Sequence, residues 1–349
     1  MSDYEDAYND SYMSYENYSH YDEKGKVHDF PLDKVDQFGI IVAVLYTIIF
    51  LLGVSGNILV IWIAGFKMKK TVNTTWFLSL AAADFLFCLF IPFNAVYMAS
   101  GHWHFGLALC KVISFVMFIN MFSSIFTLTI ISIDRFISVI FPVWAQNYRA
   151  PKTAFVVVVI IWCVSFLLSI PSLVFRQTIS KREKISCFNN YGENKQKEKN
   201  MMIVLMIRFI CGFVIPFLLI TFCYVVIIFK LKKNHIAKSS KPFKIMGAII
   251  CSFFVCWVPY HIFTIIEIDH PKYNMNILNI GIQCSVLLAS SNSFLNPLLY
   301  VFMGKDFKHK LRLSVISKME NAMSEDTHTM SRKFSKATLS SYDKASTAI

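Results

Sequence analysis

Charged side chains interrupt the sequence at three places where the neighbouring residues are apolar. Asp84 lies inside one apolar run, Arg208 lies inside another (MIRFICGFVIP, residues 206–216), and Asp134 and Arg135 stand side by side at the end of a third. A guanidinium binds a carboxylate through two parallel hydrogen bonds. A carboxylate in apolar surroundings needs polar or cationic company. The pattern therefore predicts binding and ion pairing inside apolar elements.

The elements that carry these charges are predicted to be membrane-spanning helices. The chain has 349 residues, of which 55% are hydrophobic and only 16% are charged, so a water-soluble globule is the wrong class. A hydrocarbon core of about 30 Å needs roughly 20 apolar residues for each helical crossing. Seven such runs predict an all-α membrane protein with a seven-transmembrane-helix bundle: residues 37–66, 71–109, 112–133, 153–175, 200–229, 245–266 and 273–304.

The distribution of basic residues predicts the orientation. The connecting segments near residues 67–70, 149–152, 230–244 and 305–312 are basic and fall on one side of the bundle, which should be cytoplasmic. Residues 1–36 carry ten acidic residues against three lysines and should be extracellular. The net charge of +12 then reflects topology in the plasma membrane and not nucleic-acid binding.

We divide the chain into four parts on this basis. They are an acidic extracellular tail (1–37), the seven-helix bundle (38–303), a short amphipathic eighth helix on the membrane surface (304–316) and a Ser/Thr-rich cytoplasmic tail (317–349). The apolar and basic residues of the eighth helix should contact membrane lipid.

Two cysteines and two asparagines are predicted to carry covalent modifications. Seven of the nine cysteines lie inside apolar runs, and only Cys110 and Cys187 fall where the surroundings are oxidising. We predict a disulfide between them. Asn9 and Asn17 stand in N-x-S sequons within the acidic tail and are predicted N-glycosylation sites.

Short motifs occur in order, about one to each predicted helix. They are GN at 56–57, LAAAD ending at Asp84, DRF at 134–136, Trp162, CWVP at 256–259 and NPLLY at 296–300. Together they resemble the rhodopsin-like (class A) G-protein-coupled receptors from about residue 38 to 316. The stretches FPVWAQNYR, PSLVFR, KISCFNN, RFICGF, KPFKI and LYVFMGKDFK are similar to the chemoattractant group. The chemerin-type receptors look closest, and formyl-peptide and anaphylatoxin receptors are the nearest alternatives.

The resemblance implies a receptor and not an enzyme, with no cofactor apart from an allosteric sodium ion. Its partners would be an extracellular protein or peptide of the chemerin type, a heterotrimeric G protein of the inhibitory class, receptor kinases and arrestin. Phosphorylation would add negative charge to the cytoplasmic tail. The candidate sites are Ser324, Thr327, Thr329, Ser331, Ser335, Thr338, Ser340 and Ser341.

Arg208 and Arg176 are the predicted ligand-binding cations. Counted along the helix from Met201, Arg208 lies about 10 Å below the outer surface of the membrane. Glu267 could neutralise it as an internal ion pair, but Arg176 adds a second guanidinium and leaves a positive surplus. The surplus favours the C-terminal carboxylate of an inserted peptide. In the resembled receptors, aromatic groups such as Phe118 and Tyr260 would hold the apolar side chains of the ligand.

Asp84 is predicted to face the interior of the bundle, where it needs polar neighbours. Residues that could surround it are Asn57, Asn120, Ser124, Asn292 and Asn296. In the resembled family the matching aspartate binds a sodium ion in the inactive state. A hydrogen-bonded water network without an ion is the alternative.

Asp134 and Arg135 are predicted to clasp each other in the resting receptor. Phe136 stands where the family usually has tyrosine. Between Glu198 and Glu267 the sequence contains no acidic residue, so an ionic latch from Arg135 to the sixth helix is absent. We therefore expect elevated basal activity.

Prolines and aromatic residues provide the predicted switch. Pro216, Pro259 and Pro297 each remove an intrahelical hydrogen bond and can kink a helix. With Asn296, the side chains Tyr224, Trp257 and Tyr300 match the side chains that repack in the family when the sixth helix moves. Trp257 as an ordinary core aromatic is the alternative.

Two other classes of function are disfavoured. A retinal-type proton or ion transporter needs a lysine in the last span, and residues 273–304 contain none. Asp84 and Arg208 are also too few to form a relay. A scavenger receptor without G-protein signalling is disfavoured by the intact Asp134–Arg135 pair.

Overall fold

The structure is a computed structural model that describes residues 37–181, 184–233, 241–268 and 275–303. Within these residues, seven helical segments are long and apolar enough to cross a membrane, and we refer to them as the first to the seventh span. They are Gln37–Lys67, Val72–Ser100, Gly106–Ile140, Pro151–Phe175, Lys195–Lys232, Met246–Ile266 and Ile277–Leu299. The predicted seven-helix bundle is confirmed.

The described helices have these bounds: Gln37–Trp62, Val72–Cys88, Ile91–Ser100, Gly106–Ile140, Pro142–Tyr148, Pro151–Phe175, Asn194–Phe209, Ile215–Lys233, Lys241–Ile266 and Met275–Met303. Single π-helical turns cover Ile63–Lys67 and Ile210–Val214. The chain forms two compact units, residues 1–299 and residues 300–349. In the second unit, only residues 300–303 are described.

The boundary predicted between the second and third spans is wrong. The apolar run 71–109 contains the second span, the connection at residues 101–105 and the first residues of the third span. The connection contains no Asp, Glu, Lys or Arg that would mark the boundary, and its Trp103 is packed: it is only 2% exposed and donates from Nε1 to the Gly106 carbonyl at 2.8 Å. The third span begins at Gly106 and ends at Ile140, longer at both ends than the predicted 112–133.

The second span is broken between Cys88 and Ile91. Pro92 stands in the first turn of the following helix. Because proline lacks an N–H, it cannot donate to the carbonyl four residues earlier, and the helix restarts with a new axis. The first half of the span is fixed by a capping box, in which Thr71 and Thr74 each accept a hydrogen bond from the backbone of the other.

The third span is the centre of the bundle and the fourth is at its margin. In their most apolar windows, 78% of the third span is buried but only 22% of the fourth. The exposed face of the fourth span is apolar, with Val156 and Leu167 among its exposed side chains. A surface of this kind is suited to contact with lipid tails.

The first and seventh spans approach closely at Gly56. A Cβ added to Gly56 would lie 2.9 Å from Cβ of Pro297, closer than carbon atoms pack. Glycine in the GN motif therefore permits the two helices to meet at Pro297, which lies inside the seventh span.

A two-stranded antiparallel hairpin follows the fourth span. Its strands β1 (Arg176–Lys181) and β2 (Lys184–Asn189) were not predicted from the sequence. In the register of the pair, Thr178 lies opposite Cys187, and Cys187 forms the predicted disulfide with Cys110 across a Cα–Cα distance of 5.8 Å. The disulfide fixes the hairpin to the start of the third span. We call this end of the bundle the disulfide end.

The fifth span contains a π-helical turn, Ile210–Val214, immediately before Pro216. Pro216 cannot donate to the carbonyl of Gly212, and its ring would clash with that carbonyl in a regular helix. The wider turn, in which the N–H of Ile215 donates to the Ile210 carbonyl, accommodates the proline. Arg208 lies just before this turn.

Candidate functional site

A cavity of about 290 Å³ opens among the spans at the disulfide end. Cys110 and Cys187 contribute to its wall, so the hairpin forms part of its boundary. The structure brings all five residues predicted for ligand binding to this one cavity. They are Phe118, Arg176, Arg208, Tyr260 and Glu267.

Arg208 is buried in the cavity wall, with 5% of its surface exposed. Its Nη2 donates to the Ser172 hydroxyl at 3.1 Å. Its Cζ lies 3.5 Å from the centroid of the Phe118 ring, which is cation–π geometry. The ring therefore covers one face of the guanidinium. This is a different role from the contact with a ligand's apolar side chain that the sequence suggested for Phe118.

Arg176 is the first residue of β1, and its Nε is buried without a hydrogen-bond partner among the described residues. Burial lowers the pKa of this guanidinium; Tyr97 and Tyr191 oppose the shift, and the charge of Arg208 adds to it. Arginine nevertheless stays protonated at physiological pH. The site thus contains a desolvated cation that an anion would stabilise.

Glu267 lines the same cavity at the end of the sixth span. The charges of Glu267, Arg208 and Arg176 all affect the pKa of the Tyr191 hydroxyl. Burial raises the pKa of Tyr191, Arg208 and Arg176 lower it, and Glu267 raises it further. The cavity therefore combines two cations with one acid, as the sequence predicted.

Gln283 is a cavity residue that the sequence analysis missed. Both polar atoms of its side-chain amide are buried and have no hydrogen-bond partner among the described residues. A search for charges inside apolar runs overlooks a neutral amide. A glutamine within the apolar seventh span was the available signal.

Aromatic rings connect the cavity to the sixth span below it. Phe118 lies 6.1 Å from Tyr260, and Tyr260 makes an edge contact of 5.7 Å with Trp257, measured between ring centroids. Trp257 is 2% exposed and stacks on Phe253 at 5.9 Å. Pro259 lies inside the same helix, two residues after Trp257.

Asp84 is fully buried and hydrogen-bonded, as expected for a carboxylate inside a bundle. Its Oδ1 accepts from Asn120 Nδ2 and its Oδ2 accepts from Asn296 Nδ2, both at 2.8 Å. Asn57 joins the first span to the seventh because its Nδ2 donates to the Ser293 carbonyl at 2.8 Å. The second, third and seventh spans therefore meet at one carboxylate.

The residues around Asp84 have the donor chemistry that a sodium ion needs. Ser124 and Asn292 lie one helical turn from Asn120 and Asn296, so they share the same helix faces. Buried oxygens on this part of the bundle have no hydrogen-bond partner among the described residues: Asn57 Oδ1, Ser124 Oγ, Asn292 Oδ1, Ser293 Oγ and Asn296 Oδ1. One carboxylate with several neutral oxygens suits a small, hard monovalent cation. When bound, the ion would supply positive charge beside Asp84.

Asp134 is held mainly by Arg149 and not by its neighbour Arg135. Arg149 donates from Nε to Asp134 Oδ1 at 2.7 Å and from Nη2 to Oδ2 at 3.0 Å. The Nε of Arg135 lies 4.0 Å from Asp134 Oδ2. The predicted pair of Asp134 and Arg135 is therefore present only as a long contact, and the shorter contacts of this carboxylate are with Arg149. We call this end of the bundle the Asp134 end.

Arg135 makes its hydrogen bond elsewhere. Its Nη2 donates to Asn73 Oδ1 on the second span, and Arg149 Nη2 donates to the same oxygen at 2.6 Å. Phe136, which replaces the usual tyrosine, packs on Phe222 with 6.0 Å between ring centroids. The contacts of Arg135 are thus with the Asn73 amide and, at 4.0 Å, with the Asp134 carboxylate.

The remaining switch residues lie in the fifth and seventh helical segments. Tyr224 is in the fifth span, and its hydroxyl is buried without a hydrogen-bond partner among the described residues. Pro297 lies inside the seventh span. Tyr300 is in the last described helix, but its side chain is outside the described residues.

Several predicted features lie outside the described residues. They are the acidic tail with Asn9 and Asn17, the eighth helix at 304–316, and the candidate phosphorylation sites Ser324, Thr327, Thr329, Ser331, Ser335, Thr338, Ser340 and Ser341.

The bundle, the buried acid and the Asp134–Arg135 pair together define a class of protein. Residues 56–300 match the family model for the 7 transmembrane receptor (rhodopsin family), so the chain belongs to this family. It is a family of G-protein-coupled receptors and not of enzymes. Membership implies a multi-pass plasma-membrane protein with an extracellular ligand and a G-protein partner.

Proteins similar to this chain show which members of the family it resembles. The chain is 44% identical to "Chemerin-like receptor 1" of Sus scrofa over 342 residues, which cover 94% of this chain and 93% of that protein. It is 47% identical to "Chemerin-like receptor 1" of Homo sapiens, covering 82% and 81%. It is 43% identical to "Chemerin-like receptor 2" of Mus musculus, covering 80% of each. The predicted resemblance to chemerin-type receptors is confirmed.

Proposed function

We propose that this chain is a receptor for a chemerin-like protein or peptide and that it binds the C-terminal carboxylate of that ligand at Arg208 and Arg176. The disulfide end would face outward, and the Asp134 end would face the cytoplasm, where an inhibitory-class G protein binds. The names of the relatives support the ligand class. The basic connections on the Asp134 side support the orientation.

The observation that carries the proposal is that two guanidiniums line one cavity, with Arg208 buried and the Nε of Arg176 buried. Arg208 is oriented by Ser172 and Phe118, and the Nε of Arg176 has no hydrogen-bond partner among the described residues. A terminal carboxylate would accept from both and would relieve the desolvation cost of the cations. A neutral amide terminus would accept fewer charge-assisted bonds.

The aromatic contacts supply a physical connection from ligand to switch. Arg208 touches Phe118, Phe118 approaches Tyr260, and Tyr260 touches Trp257. A ligand activates only if it binds the active arrangement more tightly than the resting one. Repacking of these rings beside the Pro259 kink is the change that the ligand would favour.

Three further partners complete the proposal. Sodium at Asp84 would stabilise a resting arrangement in which Asn120 and Asn296 stay close to this carboxylate, as they are here. Receptor kinases would phosphorylate the Ser/Thr-rich tail, and arrestin would then bind it. The absence of acidic residues between Glu198 and Glu267 supports the hypothesis of elevated basal activity.

The test compares a peptide with the C-terminal sequence of chemerin as the free acid and as the amide. Inhibition of cAMP production is measured in cells that express the chain. A charge-assisted hydrogen bond contributes about 1.5–3 kcal/mol, so the amide should be roughly 10- to 100-fold less potent. Arg208→Gln should abolish most of this difference. Lys199→Gln is the matched control, because Lys199 is an exposed cation on the same helix and does not line the cavity.

Each alternative gives a different result. If Arg208→Gln lowers the potency of the free-acid and the amide peptide equally, other residues bind the terminal carboxylate. If the cells internalise the peptide without lowering cAMP, the chain is a scavenger receptor. If a formyl peptide or an anaphylatoxin is the more potent agonist, the ligand class is wrong.

A further inference from the structure

One carboxylate and two guanidiniums share the Asp134 end. Both oxygens of Asp134 accept from Arg149, at 2.7 and 3.0 Å. Arg135, the immediate chain neighbour, reaches the same carboxylate only at 4.0 Å, and its buried Nε has no hydrogen-bond partner among the described residues. Arg149 and Arg135 thus compete for the Asp134 carboxylate, and Arg149 makes the shorter contacts.

The backbone presents Arg149 in a fixed position. It follows the short helix Pro142–Tyr148, and its N–H donates to the Ala145 carbonyl at 3.1 Å. The next helix begins two residues later, at Pro151. Because both flanking segments are helical, the backbone that carries the Arg149 guanidinium is fixed beside Asp134.

We propose that Arg149 is a positioning residue that keeps Arg135 available to the G protein by occupying Asp134. The inference rests on the proposed G-protein coupling at this end. When Arg149 is removed, both oxygens of Asp134 become free, and Arg135 is the nearest described cation that can pair with them. That pair would hold Arg135 in the resting arrangement. Loss of Arg149 therefore weakens coupling, although it removes a salt bridge from the resting structure.

Asn73 has the opposite effect on Arg135. Its Oδ1 accepts from Arg135 and from Arg149, so it ties Arg135 to the second span. Asn73→Ala removes this tether, while both bonds between Arg149 and Asp134 remain. Coupling should then become stronger. The two substitutions break contacts in the same cluster and shift the same equilibrium in opposite directions.

The experiment measures binding of unliganded full-length receptor in nanodiscs to a nucleotide-free heterotrimeric G protein. Arg149→Ala should lower the affinity about two- to tenfold, as expected for a residue that couples through its neighbours. Arg149→Lys, which keeps the charge but not the two-pronged contact, should fall between this variant and the unmodified receptor. Asn73→Ala should raise the affinity. Lys152→Ala is the control, since Lys152 is an exposed cation of the same segment.

A double-substitution cycle separates competition from simple damage. On an Asp134→Asn background the carboxylate charge is gone, so Arg149→Ala should have no further effect on affinity. An undiminished effect on that background, or unchanged or tighter binding by Arg149→Ala alone, overturns the inference. The series uses whichever heterotrimer class the unmodified receptor binds. Binding only to a class other than the inhibitory one contradicts the proposed function and leaves the comparison among variants intact.

Discussion

Substitution of Phe118 by leucine tests how the cavity presents Arg208. Leucine keeps the side chain apolar and of similar size, so we expect the change in packing alone to cost the folded receptor less than about 1.5 kcal/mol of stability. It removes the aromatic face that lies 3.5 Å from the guanidinium carbon. Arg208 would keep its hydrogen bond to Ser172 but would lose the surface that fixes its plane.

The size of the effect follows from burial. Arg208 and Phe118 are each 5% exposed, so the upper value for a desolvated cation–π contact applies, about 2 kcal/mol. That value is the most that reordering the guanidinium can cost when a carboxylate binds. At 1.4 kcal/mol for each factor of ten, the preference for free-acid over amide peptide should fall by up to about 25-fold.

Competition binding with both peptide forms, on receptor in nanodiscs, measures this preference. Phe115→Leu is the matched control, because Phe115 is in the same span but packs on Phe166 and does not line the cavity. The control should leave the preference unchanged. If Phe118→Leu weakens the acid and the amide by the same factor, the ring contacts an apolar part of the ligand, and our account of Arg208 positioning is refuted.

Three other predictions concern stability, sodium and the buried amide. Gly56→Ala places a Cβ 2.9 Å from Pro297 and should lower the free energy of unfolding by about 1–3 kcal/mol, measured as a lower melting temperature in detergent. Gly247→Ala, with open space around the added carbon, should not lower it. Replacing choline chloride with sodium chloride should weaken agonist binding to the unmodified receptor, and an equal salt effect in Asp84→Asn would contradict a sodium site at this carboxylate. Gln283→Leu should raise the melting temperature, because two unpaired polar atoms are removed, and should lower peptide affinity. Unchanged affinity would show that the amide does not contact the ligand.

The sequence predicted most of the architecture because each strong signal was local. A run of about 20 apolar residues identifies a span by itself, and all seven were found. The disulfide followed from the location of only two cysteines outside these runs. Asp84 was expected to be buried among amides, and Asn120 and Asn296 are its partners.

The features that were missed depend on how separate segments fold against one another. Arg149 is 15 residues from Asp134, and only the helix Pro142–Tyr148 brings it back to that carboxylate. The hairpin was missed because its short strands carry no long apolar run. The boundary at residues 101–105 was missed because this connection contains no Asp, Glu, Lys or Arg, and its Trp103 packs inside the protein.

The π-helical turn at Ile210–Val214 sets the angular phase of the half of the fifth span that precedes it, at the disulfide end. Such a turn holds one residue more than an α-helical turn, and each residue of a helix advances about 100° around the axis. Deleting a single residue there, such as Cys211, would remove the extra residue of the turn and would rotate Arg208 by about that angle relative to the segment after Pro216. The Arg208 guanidinium would then leave the cavity although Arg208 itself is not substituted. The direction in which the Arg208 side chain points therefore depends on the winding of the backbone in the π-helical turn, which begins two residues further along the chain.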